Sequence, residues 1–272
     1  MEAAFSLLLL VLSSSLVSGT YPELARRDKR ELIINGKKIS ITEVPYQVAL
    51  LIGGFPACGG SIIGRRLILS AGHCLQGQKK AKLKVRAGSS WRDKGGIVEK
   101  VARVVVHPKF SNTTGANDIA LVLLDEPLKL DGANVSCAKI PEQGEKLPLG
   151  SVGKVSGWGR TTPKTGTGSI QLRSTYLTIL PFDKCWTAYN EKKLNAKMQY
   201  CIGSPRSTGS CQGDSGGPFV VDKTVYGIVS WAESCAKTEY PTIYTDVGAF
   251  VQWIRESLVS ISAQEELKCD VM

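Results

Sequence analysis

The chain has 272 residues, of which 43% are hydrophobic and 21% are charged, a composition typical of a globular protein with ample material for a core. Its formal net charge is +10, and residues 1–32 contribute nothing to it because they hold four basic and four acidic residues. No block of five or more like charges occurs, which favours an ordinary basic surface over a dedicated site for acidic substrates, anionic glycans or membranes.

The chain opens with an apolar run over residues 3–12, followed by small and polar residues. This run is too short to cross a bilayer, which takes about 20 apolar residues. It is typical of a signal peptide over residues 1–19, although no Lys or Arg precedes it. No other segment is long enough to span a membrane, so we expect a secreted, monomeric product without a nucleic-acid partner.

Residues 20–32 are charged and lack apolar periodicity, so they predict a segment that proteases can reach. From Ile33 onward, short apolar or alternating runs are separated by Gly, Pro, Asn and Asp clusters, which is typical of an all-β sandwich or barrel. The end of the chain predicts a helix with four apolar residues on one face: Phe250, Val251, Ile254 and Leu258.

Eight cysteines in an exported chain indicate a disulfide framework. There is no CxxC pair and there are only two histidines, so we expect neither a metal site nor a cofactor. Asn112 and Asn134 begin N-x-S/T sequons, which are compatible with glycosylation on the export route.

The stretch GSCQGDSGGPF at residues 209–219 allows two interpretations. Gly, Asp and Ser are ordinary turn residues, so it could be a turn and nothing more. Alternatively, Ser215 is a nucleophile at a place where the backbone comes very close to a substrate, which glycine permits. The stretch alone does not separate the two.

A nucleophilic serine needs a base, and histidine is the usual base near neutral pH. His107 lies after a strand-like run and before a proline, where a structural role is expected. His73 directly precedes Cys74, and a bridge from Cys74 to Cys58 would fix its position. Asp118 opens a strongly apolar run, so its carboxylate is predicted to be partly buried and available to orient His73.

The segments SAGHC, NDIALVLL, SGWG, GSCQGDSGGP and IVSW resemble, in the same order, the hallmark segments of the chymotrypsin-like (trypsin-like) serine endopeptidases. The resemblance spans roughly residues 33–258. It implies an all-β domain over residues 33–260, made of two six-stranded antiparallel barrels with a C-terminal helix and an active site in the cleft between the barrels. A polar tail follows at residues 261–272.

The resemblance also implies a role for each residue around the serine. Ser215 attacks the scissile carbonyl, His73 takes and returns its proton, and Asp118 orients His73. The amides of Gly213 and Ser215 form the oxyanion hole. In this family a newly cut N-terminal ammonium inserts beside the Asp that precedes the serine. That Asp is Asp214 and the new terminus is Ile33, so residues 20–32 resemble an activation peptide.

Three disulfides follow from the resemblance: Cys58–Cys74, Cys185–Cys201 and Cys211–Cys235. Cys137 and Cys269 remain and could pair, but the sequence does not establish this.

The S1 pocket implied by the resemblance ends at Gly209, which offers no charge for Arg or Lys. Side chains at Ala232 and Thr242 narrow the pocket, so we expect small or medium aliphatic P1 residues, with Phe or Tyr as the alternative. Ser230 and Ala232 would pair with the substrate backbone as an added strand. Two further residues complete the expected substrate site: Ser210 and Trp231.

The activation site departs from the family pattern. Most relatives are cut after a basic residue, but here Leu32 precedes Ile33 and the nearest basic residue is Arg30. Two routes to the Ile33 terminus are open. An enzyme that prefers Leu cuts after Leu32, and this enzyme itself is one candidate. Alternatively, a first cut after Arg30 is followed by trimming of Glu31 and Leu32. The expected partners are peptide substrates, an activating protease and protein inhibitors. A non-catalytic binding protein on the same fold is the competing hypothesis.

Overall fold

The computed structural model describes residues 36–162, 167–190, 194–263, 267 and 269. The signal and activation peptides predicted for residues 1–32, and Ile33 after them, lie outside the described residues.

The first half of the chain forms a closed antiparallel barrel. A short strand β1 (Lys37–Lys38) comes before it. Six barrel strands follow: β2 (Gln47–Ile52), β3 (Phe55–Gly64), β4 (Leu67–Ser70), β5 (Leu83–Ala87), β6 (Ile97–Val106) and β7 (Ala120–Leu124). They close in the order β2-β3-β4-β7-β6-β5. Strand β5 alternates buried and more exposed residues, as expected for a strand with one face in the core, whereas β4 is buried on both faces.

The second half forms a second ring of strands. Its members are β8 (Val152–Gly157), β9 (Arg173–Leu180), β10 (Gln199–Gly203), β11 (Pro218–Val221), β12 (Thr224–Trp231) and β13 (Thr242–Asp246). The order β9-β10-β13-β12-β11-β8 closes because β8 pairs with both β11 and β9, while β1 adds to the outside of β9. The predicted fold of two six-stranded antiparallel barrels is confirmed.

Helices are short except at the end of the chain. The α-helices are α1 (Gly72–Leu75), α2 (Phe182–Ala188) and α3 (Val251–Ser260), and 3-10 turns cover Ile41–Glu43, Lys80–Lys82 and Val247–Phe250. The predicted C-terminal helix is confirmed, and the four residues of its predicted apolar face are all buried. Within the described ranges, no helix has the length and apolar character needed to cross a membrane.

A buried polar contact joins the two barrels. The Gln47 side chain on β2 is fully buried and accepts a hydrogen bond from Ser156 Oγ on β8 at 2.7 Å. Nearby, the Gly59 amide on β3 donates to the Ser215 carbonyl at 2.7 Å. Since buried polar groups are costly to leave unpaired, these bonds fix how the barrels meet beside Ser215.

Four disulfides connect the eight cysteines. The bridges are Cys58–Cys74, Cys185–Cys201, Cys211–Cys235 and Cys137–Cys269. The fourth, which the sequence left open, attaches the end of the chain to the segment between the barrels.

We expect the Cys137–Cys269 bridge to stabilise the fold mainly through the unfolded chain, because it joins residues 132 positions apart. Replacing both cysteines by serine should lower the free energy of unfolding by about 2–4 kcal/mol. Guanidinium denaturation of the double variant beside the wild type measures the change. Equal midpoints in the two proteins would show that the bridge contributes nothing.

Candidate active site

The pairing of two strands brings His73 and Asp118 together. His73 lies in α1, directly after β4, and Asp118 lies just before β7; Ser70 and Ala120 are partners where β4 and β7 pair. Asp118 is 2% exposed, and its Oδ1 accepts a hydrogen bond from the His73 amide at 2.8 Å. Its Oδ2 lies 2.8 Å from His73 Nδ1. This second contact orients the imidazole and leaves Nε2 as the ring nitrogen that Asp118 does not contact.

A third donor to Asp118 comes from the second barrel. Ser230 on β12 is buried, and its Oγ donates to Asp118 Oδ2 at 2.5 Å. Thr245 Oγ1 on β13 donates to the Asp118 carbonyl at 2.8 Å. Ser230 was expected to pair with the substrate backbone; its contact with Asp118 could not be predicted, because nothing in a Val-Ser-Trp stretch indicates which carboxylate the serine meets.

The stretch around Ser215 is a tight turn whose glycines are required by their surroundings. Gly213 has a φ of +98° and Gly216 a φ of +77°, a region that side-chain-bearing residues rarely adopt. A Cβ on Gly216 would also collide with Ser70 Oγ and the Gly59 carbonyl. The turn is therefore packed directly against the first barrel.

The Ser215 hydroxyl makes no hydrogen bond with any described residue. His73 Nε2 lies 3.6 Å from Cys74 Sγ. Ser215 and Ser230 line the same cavity, Ser230 contacts Asp118, and Asp118 contacts His73. A serine and its base are often not hydrogen-bonded in the absence of substrate, because catalytic hydrogen bonds tighten when substrate binds.

Asp214 is a completely buried carboxyl group. Its Oδ1 accepts from the Gly159 amide at 2.7 Å and its Oδ2 from the Cys211 amide at 2.9 Å. Burial raises the pKa of Asp214 to about 6, against the opposing effect of these two hydrogen bonds. A Cβ on Gly157 or Gly159 would collide with this carboxyl group, which explains the glycines of the SGWG segment.

A cavity of about 270 Å³ opens beside Ser215. Among its lining residues are the predicted Ser210, Ser230, Trp231, Ala232 and Thr242. Tyr244 Oη donates to Ser210 Oγ at 3.0 Å. The Ser210 Oγ also lies 3.5 Å from Thr242 Oγ1.

The predicted Gly209 is buried but is not one of the residues that line this cavity. It packs against Ala236, since a Cβ on Gly209 would lie 3.3 Å from the Ala236 Cα. Among the lining residues, Glu233 is the one with an ionisable side chain, and it is exposed to solvent.

Two other groupings have structural explanations. Cys58, His73 and Cys74 lie close enough together to suggest metal ligands, but the cysteines are joined as a disulfide and offer no thiolates. His107 packs against the rings of Phe250 and Trp253, at centroid distances of 5.4 and 5.0 Å, and burial lowers its pKa.

Comparison with known proteins identifies the family of this chain. The family model described as Trypsin matches residues 33–254. The chain therefore belongs to the trypsin family of serine endopeptidases, whose substrates are proteins and peptides.

Similar proteins include the vitellin-degrading protease of Bombyx mori, 32% identical over 237 residues that cover 87% of this chain and 89% of the relative. Trypsin 5G1 of Aedes aegypti is 36% identical over 82% of this chain and 84% of its own length. Among solved structures, a scabies mite inactivated protease paralogue, S-D1, has a TM-score of 0.78 at 27% identity, covering 85% of this chain and 98% of its own. Neuropsin, a serine protease of mouse brain, has a TM-score of 0.74 at 31% identity, covering 82% of this chain and 98% of its own.

The raised pKa of Asp214 predicts a pH dependence of the uncut chain's stability. The folded state binds more protons than the unfolded state between pH values of about 4 and 6, so the contribution of Asp214 to stability falls as pH rises through that window. Over the whole window, the loss of folding stability that Asp214 causes amounts to about 3 kcal/mol.

Asp214→Asn removes this titration. The amide of the Asn variant faces the Cys211 and Gly159 donors and costs stability at every pH. The informative quantity is therefore the slope of stability against pH. Thermal unfolding of both proteins from about pH 4 to about pH 7 should show the wild type losing stability relative to the variant. Parallel curves would contradict the assignment.

Proposed function

We propose that this protein is a secreted endopeptidase, made as a zymogen, that cleaves after small or medium aliphatic residues through Ser215, His73 and Asp118. The observation that carries the proposal is the contact between His73 Nδ1 and Asp118 Oδ2 beside the cavity that Ser215 lines.

The proposed mechanism is acyl transfer to the serine. His73 Nε2 takes the proton of Ser215 Oγ as this oxygen bonds to the scissile carbonyl carbon, and the amides of Gly213 and Ser215 stabilise the resulting oxyanion. The C–N bond then breaks as His73 returns the proton to the leaving amine. A water molecule attacks the acyl-enzyme by the same sequence of proton transfers, which releases the acid and restores Ser215.

Asp118 keeps its charge throughout and stabilises the imidazolium that forms. Its bond to the His73 amide and its bond from Ser230 fix the carboxylate independently of the imidazole. His73 can therefore move toward Ser215 on substrate binding while Asp118 stays in place.

The proposed P1 preference follows from the cavity beside Ser215. Its lining combines the methyl groups of Ala232 and Thr242 with the Val229 side chain, and it offers hydroxyl groups but no buried charge. Such a cavity suits Ala, Val or Leu, with Phe or Tyr as the alternative, and one methylene changes selectivity by about 1–3 kcal/mol. Although similar proteins are named trypsins, Gly209 supplies no carboxylate for an Arg or Lys side chain.

Activation is proposed to depend on Asp214. A buried carboxyl group with a raised pKa is a site where a cation is strongly favoured, and the ammonium of Ile33 is the cation that cleavage after Leu32 would create. Residues 20–32 are then the activation peptide, removed by a Leu-preferring protease or by trimming after a first cut. Residues 1–19 direct export, and the exposed Asn112 and Asn134 are proposed glycan sites on that route.

The function is tested by cutting the full exported chain to a clean Ile33 terminus and assaying peptides that differ only at P1. We expect cleavage that depends on the cut and falls by at least about a thousandfold in Ser215→Ala. Ser204→Ala, which changes a serine outside the site, is the matched control. No cleavage from a verified Ile33 terminus would favour the non-catalytic binding protein; an inactivated protease paralogue is similar in fold.

The P1 assignment predicts a gain of function. Gly209→Asp should raise the ratio of Arg to Leu cleavage, measured as kcat/KM, by about tenfold or more, because it adds the charge that the pocket lacks. Ala236 must shift slightly to admit the side chain, so Gly209→Asn, of similar size without the charge, is the control. A ratio unchanged in the Asp variant would show that position 209 does not contact P1.

A further inference from the structure

A second cavity, of about 380 Å³, lies on the other side of the Ser215 turn. It shares Gln212 with the first cavity and reaches the proposed oxyanion donor Gly213. A peptide with its P1 side chain in the first cavity and its carbonyl at Gly213 therefore has its leaving group directed toward the second. Two arginines, Arg92 and Arg160, line this second cavity.

Both arginines are positioned by backbone bonds around the cavity. The Arg160 amide donates to the Gln212 carbonyl at 2.8 Å, and the Arg92 amide donates to the Ile170 carbonyl at 3.1 Å. The Arg92 guanidinium lies against Gly168, where a Cβ would come within 2.9 Å of Nη1. The head group of Arg92 is thus at the cavity wall, where a glycine leaves room for it.

The two positive charges have no countercharge in the described part of the chain. Neither arginine forms an ion pair with a described carboxylate, and both side chains are only partly exposed. A guanidinium binds a carboxylate through parallel hydrogen bonds, which are stronger than neutral ones. A cavity with two such groups favours a carboxylate over a neutral or basic group.

We propose that this cavity binds a carboxylate on the leaving-group side of the cleaved bond, at P2′. An extended peptide places alternate side chains on the same face, so P2′ faces the enzyme when P1 does. The carboxylate is either an Asp or Glu side chain or the terminal carboxylate of a leaving dipeptide. The proposal rests on the function proposed above, which supplies the direction of the bound peptide.

The test uses the activated enzyme and quenched peptides that are identical except at P2′, which is Glu, Gln or Lys in amidated peptides. A further peptide ends at P2′ Gln with a free carboxylate. We expect kcat/KM to be about tenfold higher for Glu than for Gln, and lowest for Lys. A gain only in the peptide with the free terminus would identify the terminal carboxylate as the ligand. The Glu preference should shrink at high salt.

Variants assign the effect to the two arginines. Arg92→Gln combined with Arg160→Gln should bring the Glu-to-Gln ratio of kcat/KM close to one, because the variant lacks both positive charges of the cavity. Arg103→Gln, which removes the same charge from an exposed position on β6, should keep the ratio of the wild type. Equal cleavage of the Glu, Gln, Lys and free-terminus peptides by the wild type, or a carboxylate preference that survives the double variant, would overturn the proposal.

Binding measurements separate this proposal from the proposed function. The Ser215→Ala chain, titrated with the same uncut peptides, reports the cavity without any chemistry. Tighter binding of a carboxylate-bearing peptide that is lost with the two arginines supports the cavity even if no peptide is cleaved. Equal binding of all peptides would overturn it even if cleavage is normal.

Discussion

The carboxylate of Asp118 joins the two barrels at the candidate active site. It accepts hydrogen bonds from His73 in the first barrel and from Ser230 in the second, and it is almost wholly removed from solvent. A buried carboxylate tolerates this environment only when it is well supplied with donors. The barrels must therefore meet in a single arrangement, and that arrangement holds the imidazole.

Asp214 is a buried carboxyl group of a different kind. Amide donors from Gly159 and Cys211 do not offset the cost of its burial, so its pKa is raised to about 6. The glycines around it leave space for the group and little else. One carboxylate is thus fully supported within the described fold, whereas the other is supported only in part. That contrast supports the proposals that Asp118 belongs to a preformed catalytic site and that Asp214 responds to cleavage of the chain.

Much of the fold follows from local patterns in the sequence. Short runs separated by turn residues predict an all-β chain, and the spacing of Val251, Ile254 and Leu258 predicts the last helix, since periodicity depends only on near neighbours. Asp118 was expected to be partly buried because it opens an apolar run. These features could be predicted from the sequence because neighbouring residues determine them.

Contacts between distant segments could not be predicted in this way. Ser230 is 112 positions from Asp118, and its short sequence context is equally consistent with contact to a substrate. Gly209 was assigned to the S1 pocket by resemblance alone, and its local sequence gives no sign that Ala236 packs against it. The pairing of Cys137 with Cys269 likewise depends on where the fold brings the tail. Each of these depends on how segments distant in the sequence meet in the fold, which no local pattern encodes.

The fold shows where the basic residues behind the net charge of +10 lie, which the composition could not. Most of the basic residues are exposed and separately solvated, as the absence of charge blocks suggested, and such charges contribute little to specific recognition. Arg92 and Arg160 differ because the fold places them in one cavity beside Gly213. The cavity on the other side of Ser215 carries only the exposed Glu233. The site is therefore electrostatically asymmetric along the path of a peptide, and this asymmetry favours leaving groups that carry negative charge.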